Sequence, residues 1–253
     1  MENILESLQN KLIVSCQAFP GSPLYGGDYM QKMAMCAIIG GAAGIRACWP
    51  DNVRAIRQIT DLPIVGINKA LSDTTPTIHD VIITPNFESA AEVIEAGCTI
   101  LGLDSTPRGR TYDDVAKIIE QIKKYYPDIL IMADISTLEE GVMSEQMGVD
   151  IVSTTLSGYT AESLKVYQVQ VSDTGELLSP ENSEKLKKPD IDLVSKLREK
   201  IKVKINCEGR YNKIKHVLKA MRAGADMITI GGAITMPEKI TGMFVDAIES
   251  YFS

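Results

Sequence analysis

Eight short apolar runs recur along the chain, each followed by a helical pattern, and this repetition limits the fold more than any single motif does. The runs occupy residues 12–15, 44–47, 63–67, 99–103, 129–133, 150–153, 203–207 and 227–230. They do not alternate with polar residues, as expected of parallel strands buried on both faces. Helical patterns lie between and after them, at 28–39, 52–60, 87–96, 112–125, 137–147, 191–200, 213–223 and 237–251. In the fourth of these, Val115, Ile118, Ile119 and Ile122 share one face. Three helix ends resemble one another: Glu95-Ala96-Gly97-Cys98, Gln146-Met147-Gly148-Val149 and Arg222-Ala223-Gly224-Ala225. Each places a glycine just past the helix, where a left-handed conformation closes it, and an apolar residue then enters the next strand.

Eight such units in 253 residues fit a single-domain (β/α)8 TIM barrel spanning residues 1–253. The competing architecture, an open doubly wound sheet, would carry a GxGxxG turn after its first strand. Here that strand runs into Cys16-Gln17-Ala18-Phe19-Pro20, without the motif. Two segments interrupt the pattern. Residues 74–85, with the apolar run 81–84, read as an excursion and not a ninth strand. Residues 157–190 form a long polar insertion between the sixth strand and its helix. Within it, Val166 to Val171, Asp173-Thr174-Gly175 and Leu177-Leu178 read as a β-hairpin. Its place on the βα side puts it over the catalytic face, as a lid, an oligomer contact or a solvated insertion.

Composition removes several functions. With 45% hydrophobic and 23% charged residues the chain is an ordinary globular protein, not a disordered one. A net charge of −7 argues against binding nucleic acid. No apolar run is long enough to span a membrane, and residues 1–10 lack a secretory signal. The five cysteines, Cys16, Cys36, Cys48, Cys98 and Cys207, include no CxxC pair. Free thiols in a reducing cytoplasm are expected. His79 and His216 form neither a metal-binding spacing nor a partner for a catalytic cysteine, so no metal and no redox cofactor are expected.

In such a barrel chemistry occurs where strands end. Gln17 follows the first strand and Arg46 lies in the second. Asn68 and Lys69 follow the third and Asp104 ends the fourth. Asp134 follows the fifth, Thr154-Thr155 the sixth, Glu208-Gly209-Arg210 the seventh and Gly231-Gly232-Ala233 the eighth. The loops after the last two strands form the usual phosphate site of these barrels. Gly209, Gly231 and Gly232 let an anion approach backbone amides, and Arg210 can add charge; alternatively the glycines only turn the chain. Lys69, desolvated at a strand end, has a lowered pKa. It can then serve as general base or imine-forming nucleophile, or stay charged as a structural or anion-binding group. Glu208 is a candidate acid or base. Asp134 either orients Lys69 or a sugar hydroxyl, or is a plain salt-bridge partner. Acid–base chemistry on a phosphorylated metabolite fits this set: an isomerase, an epimerase or an aldolase-like lyase.

Seven segments carry a family resemblance: 12–18, 44–47, Pro63-Ile-Val-Gly-Ile-Asn-Lys69, Ile131-Met-Ala-Asp-Ile135, 153–160, Cys207-Glu-Gly-Arg210 and Gly231-Gly-Ala-Ile-Thr235. In order and over nearly the whole length, they resemble the N-acetylmannosamine-6-phosphate 2-epimerases. The resemblance implies inversion of the second carbon of N-acetylmannosamine 6-phosphate to give N-acetylglucosamine 6-phosphate, in sialic acid and amino-sugar catabolism. It implies no cofactor. Lys69 and Glu208 match the family's catalytic residues, and Gln17, Arg46 and Asp134 match residues that hold the sugar. It also implies a homodimer. Ile240, Met243, Phe244, Ala247 and Ile248 give the last helix an apolar face, for an interface or for its own barrel. The chain departs from the family at Met236, where a basic residue is frequent, and in the length of the 157–190 insertion. Two alternatives stay open: another lyase or isomerase acting on a phosphorylated sugar, and a non-catalytic sugar-phosphate-binding barrel.

Overall fold

A computed structural model describes residues 2–71, 77–174, 176–178 and 182–252. The eight strands are β1 (Lys11–Cys16), β2 (Gly44–Cys48), β3 (Ile64–Ile67), β4 (Ile100–Asp104), β5 (Leu130–Asp134), β6 (Ile151–Ser153), β7 (Lys204–Cys207) and β8 (Met227–Ile230). All pair in parallel with their sequence neighbours, and β8 returns to β1 to close the barrel. Every residue of β2, β4 and β5 is buried, which is why these runs show no alternation.

The helices are α1 (Glu2–Ser7), α2 (Gly27–Ile39), α3 (Pro50–Arg57), α4 (Phe87–Glu95), α5 (Tyr112–Tyr125), α6 (Leu138–Gln146), α7 (Ala161–Tyr167), α8 (Ile191–Lys200), α9 (Ile214–Arg222), α10 (Gly232–Thr235) and α11 (Pro237–Phe252). Capping starts three of them where a βα loop must turn. Thr111 with Asp114, Thr137 with Glu140 and Thr160 with Ser163 form reciprocal capping boxes that satisfy orphan amides. The three expected αβ glycines all have positive φ: +103° at Gly97, +84° at Gly148 and +105° at Gly224. A basic side chain from the helix before donates to each glycine carbonyl: Arg57 to Gly97, Lys123 to Gly148 and Arg198 to Gly224. A repeated sequence signal thus corresponds to a repeated hydrogen bond that a helix end would otherwise lack.

At Gly224 a Cβ would meet Arg198 Cγ at 2.6 Å. Gly224→Ala is expected to cost about 1–2 kcal/mol from the backbone alone. The thermal midpoint should fall by roughly 2–8 °C. An unchanged midpoint in a calorimetric scan would contradict this account of the αβ turn.

The barrel interior is filled by Ile13, Val65, Ile100, Leu130, Met132, Ile151 and Met227, with Leu8 fully buried against them. Ile4 and Leu5 of α1 pack on the same cluster. Four of these residues begin their strands, so α1 closes the N-terminal end and leaves the C-terminal end for function.

The insertion differs from the sequence expectation. Val166 and Tyr167 belong to α7, not to a strand, because the Thr160–Ser163 box starts a helix that buries Leu164 and Tyr167. The expected hairpin reduces to one antiparallel bridge between Val171 and Leu177. Residues 183–187 form a short 3-10 turn. Gly175 of the expected turn lies outside the described residues, as do residues 74–76 of the excursion. The rest of that excursion runs antiparallel beside the end of β3: Lys69 bridges Ile83, Ala70 donates to Ile82, and Thr84 donates to Asn68. Among the described residues it adds no ninth strand to the barrel.

Candidate active site

Arg46 organises the C-terminal end of the barrel. Its guanidinium reaches across from β2 to Asp134 at the end of β5 with two hydrogen bonds, Nη1 to Oδ1 at 3.1 Å and Nη2 to Oδ2 at 2.7 Å. Nη1 also pairs with Glu208 Oε2 at 3.0 Å. Both Arg46 and Asp134 are fully enclosed. Burial works against the charge on Arg46, but the Asp134 and Glu208 carboxylates outweigh it and hold the guanidinium above its ordinary range. Beneath this cluster, Asn206 donates to Ser153 at 2.7 Å and accepts from Thr229 at 2.9 Å, which makes the floor polar and fully paired.

Thr155, in the 3-10 turn after β6, ties the two carboxylates together. Its hydroxyl lies 2.5 Å from Asp134 Oδ1 and 3.4 Å from Glu208 Oε2. Thr154 fixes the backbone of Glu208 from the same turn, donating to its carbonyl at 3.1 Å and accepting from its amide at 3.2 Å. Glu208 is pushed up to about 7, first by burial and also by the nearby Asp134 charge, while Arg46 and Lys69 oppose the shift.

Lys69 follows β3. Its ammonium donates to Gln17 Oε1 at 2.9 Å and lies 4.7 Å from the centre of the Phe19 ring. Gln17 is itself held by Ser15, 2.6 Å away. The Lys69 carbonyl accepts from the indole of Trp49 at 3.0 Å, which pins the backbone. Burial lowers the Lys69 pKa, and the Arg46 charge lowers it further. Lysine and glutamate are therefore drawn from opposite directions toward neutrality.

Two cavities flank this cluster, and Thr155, Tyr159 and Arg210 border both. One, of about 250 Å³, is bordered by Gln17, Glu208, Gly209, Gly231, Gly232 and Lys239. The other, of about 500 Å³, is bordered by Lys69, Ile83 and Arg108, with Gly158, Tyr159 and Leu164 from the insertion.

The structure thus brings together Gln17, Arg46, Lys69, Asp134 and Glu208, and sets Gly209, Gly231 and Gly232 along one adjoining cavity. Arg210 sits differently from the rest. Its backbone is left-handed, with φ +62°. Its Nε donates to the Lys188 carbonyl at 2.8 Å and Nη2 to the Tyr167 hydroxyl at 3.3 Å. The guanidinium carbon lies 5.2 Å from the centre of the Tyr159 ring. Its charge is thus engaged by the insertion. Asp104 is also spoken for: Arg108 and the Thr106 hydroxyl hold it, at 2.6 Å and 2.7 Å. Thr155 had only its strand-end position to mark it. The four buried thiols have no acidic character, since burial pushes Cys48 up to about 11 and Cys16, Cys98 and Cys207 to about 12.

Fold and site together define a (β/α)8 barrel equipped for acid–base chemistry. The family profile described as "Putative N-acetylmannosamine-6-phosphate epimerase" (NanE) matches residues 30–174 and 167–250. The chain belongs to that family. A relative from Caldanaerobacter subterraneus subsp. tengcongensis, named "Putative N-acetylmannosamine-6-phosphate 2-epimerase", is 40% identical over 252 residues, covering 98% of this chain and 94% of its own. A relative of the same name from Shouchella clausii is 34% identical over 249 residues, covering 98% and 100%. The solved structure of the N-acetylmannosamine-6-phosphate 2-epimerase from Clostridium perfringens matches with a TM-score of 0.80 and 35% identity, covering 96% of both chains. A thiamine phosphate pyrophosphorylase from Pyrococcus furiosus, 17% identical with a TM-score of 0.56, shares the fold alone.

Proposed function

We propose that this protein interconverts N-acetylmannosamine 6-phosphate and N-acetylglucosamine 6-phosphate by moving one proton at the second carbon. The observation that carries the reading is the Lys69–Glu208 pair around Arg46, with one group shifted down and the other up toward neutral pH. A lysine shifted down and a carboxyl shifted up are each better suited to exchange protons than at their ordinary values. In the open-chain sugar the aldehyde acidifies the proton on the adjacent carbon. One group removes that proton, the electron pair moves to the carbonyl oxygen as an enolate, and the other group returns a proton to the opposite face. Arg46, fixed by Asp134, stabilises the negative charge that develops. Gln17 orients Lys69. The reaction consumes no co-reactant and needs no cofactor. Incubating the purified protein with N-acetylmannosamine 6-phosphate should yield the gluco epimer, resolved by NMR. Absence of any epimer at high protein concentration would refute the assignment.

The rest of the chain supports this chemistry. The glycine-bordered cavity takes the phosphate, and the insertion roofs the sugar site through Tyr159 and Arg210. A phosphorylated metabolite and five free thiols support a cytoplasmic location.

The protein acts as a homodimer built on α11. That helix has no buried residue, and Phe244, Ile248, Tyr251 and Phe252 are 61–82% exposed. Two other barrel helices also expose apolar side chains: Ile214 and Leu218 on α9, and Met35 and Ile39 on α2. Apolar surface of this extent marks an interface, and a second copy supplies matching surface by symmetry. Light scattering should give twice the 27.6 kDa chain mass. Phe244→Glu combined with Ile248→Glu should shift it to the monomer. A monomeric wild type, or a variant that stays dimeric, would contradict this interface.

A further inference from the structure

We infer that Lys239, on the first turn of α11, is the cation that neutralises the substrate's phosphate. This rests on the phosphorylated substrate proposed above and assigns its anion a specific partner.

Two cations border the glycine cavity beside Glu208, Arg210 and Lys239. Arg210 is turned to the insertion, with the Lys188 carbonyl, the Tyr167 hydroxyl and the Tyr159 ring as partners. Lys239 is not committed in this way. Among the described residues it has no ion-pair partner, and its side chain lies along Gly232. A Cβ on Gly232 would stand 3.4 Å from Lys239 Cδ and 3.6 Å from Nζ. The missing side chain at Gly232 therefore leaves a space that the ammonium faces. Met236 borders the same space, with Sδ 3.1 Å from that Cβ position, and brings no charge.

Electrostatics requires such a group. The chain carries a net charge of −7, and Glu208 borders the same cavity. A dianionic phosphate placed there without a local cation would meet repulsion. Lysine suits the task as a flexible point charge with three donors. The phosphate is remote from the reacting carbon and is held equally in ground and transition states. Its cation therefore sets KM and the preference for phosphorylated sugar, and leaves kcat nearly unchanged.

The test compares wild type with Lys239→Ala and Lys239→Arg. Lys239→Ala should raise KM for N-acetylmannosamine 6-phosphate about tenfold to a hundredfold, the loss of one charged hydrogen bond. Its kcat should stay within about threefold, and Lys239→Arg should recover most of the affinity. Inorganic phosphate, titrated by ³¹P NMR, should bind Lys239→Ala correspondingly more weakly than wild type. Equal phosphate binding by wild type and Lys239→Ala would overturn the inference, as would loss of phosphate binding in Arg210→Ala alone. The phosphate titration does not depend on turnover. A wild type that binds phosphate through Lys239 but never epimerises the sugar would therefore refute the proposed function and leave this assignment standing.

Discussion

Lys69→Ala is expected to lower kcat by about 10³- to 10⁴-fold while the barrel stays folded. The size follows from the position of the group. Lys69 is fixed at three points: its carbonyl by Trp49, its ammonium by Gln17, and its charge against the Phe19 ring. Among the described residues no other lysine borders the cavity next to Ile83 and Tyr159, so no second amine stands ready to replace its proton transfer. Lys69 also opposes the upward shift at Glu208, so its removal leaves that carboxyl more firmly protonated. Lys69→Arg separates charge from proton transfer. It restores the positive charge, but guanidinium does not give up a proton near neutral pH, so the variant should be as inactive as alanine. Initial rates on N-acetylmannosamine 6-phosphate, with circular dichroism to check folding, decide the point. A folded Lys69→Ala within tenfold of wild type would remove Lys69 from the mechanism.

Glu208→Gln is the second large effect, an expected fall in kcat of about 10²- to 10³-fold. Its pH behaviour is as diagnostic as its rate. Glu208 is raised from its ordinary 4.5 to about 7. Arg46, Asp134 and Lys69 act on Glu208 as neighbouring charges, so the limb near pH 7 in the wild-type profile is assigned to Glu208. Glutamine cannot titrate, and that limb should vanish. Stability carries the same signature with a defined sign. A carboxyl with a raised folded pKa binds more protons in the folded than in the unfolded state between about 4.5 and 7. Its contribution is present below that window and is lost as pH rises through it. Above pH 7 the wild type keeps an unfavourably buried carboxylate. Glu208→Gln removes it and should be more stable at pH 8 by up to about 3 kcal/mol. A Glu208→Gln protein that melts well below wild type at pH 8, or keeps the limb near pH 7, would contradict this reading.

Much of this architecture is readable from sequence because the barrel maps sequence order onto spatial order. The strand runs are buried on both faces, so they appear as unbroken apolar segments. The αβ turns require positive φ, so glycine marks them at residues 97, 148 and 224. Once eight units are counted, strand ends must converge, and Gln17, Arg46, Lys69, Asp134 and Glu208 stand at those ends. What pairs with what is not readable. Arg46 and Asp134 are 88 residues apart, and their bidentate contact exists only because closing the barrel turns the ends of β2 and β5, three strands apart, toward one interior.

Other features leave weaker traces. The six-residue α1 and the residue after it plug the barrel through Ile4, Leu5 and Leu8, whose partners come from six different strands. No local pattern encodes such a contact set. The Val166–Val171 segment carries β-branched residues at both ends, yet capping at Thr160 and burial of Leu164 and Tyr167 draw its start into α7. Tertiary packing there overrides local propensity. Arg210 follows a glycine after β7 and so resembles a phosphate ligand. Its left-handed backbone and the aromatic pair Tyr159 and Tyr167 turn it to the insertion, and neither could be foreseen from the Glu208-Gly209-Arg210 run.

Proton NMR of N-acetylmannosamine 6-phosphate with the protein in deuterated water tests the central claim most directly. Removal and return of a proton at the second carbon predicts N-acetylglucosamine 6-phosphate with deuterium at that carbon, formed by wild type and absent with Lys69→Ala. Product that retains its original proton throughout, or no product at all, would contradict the account.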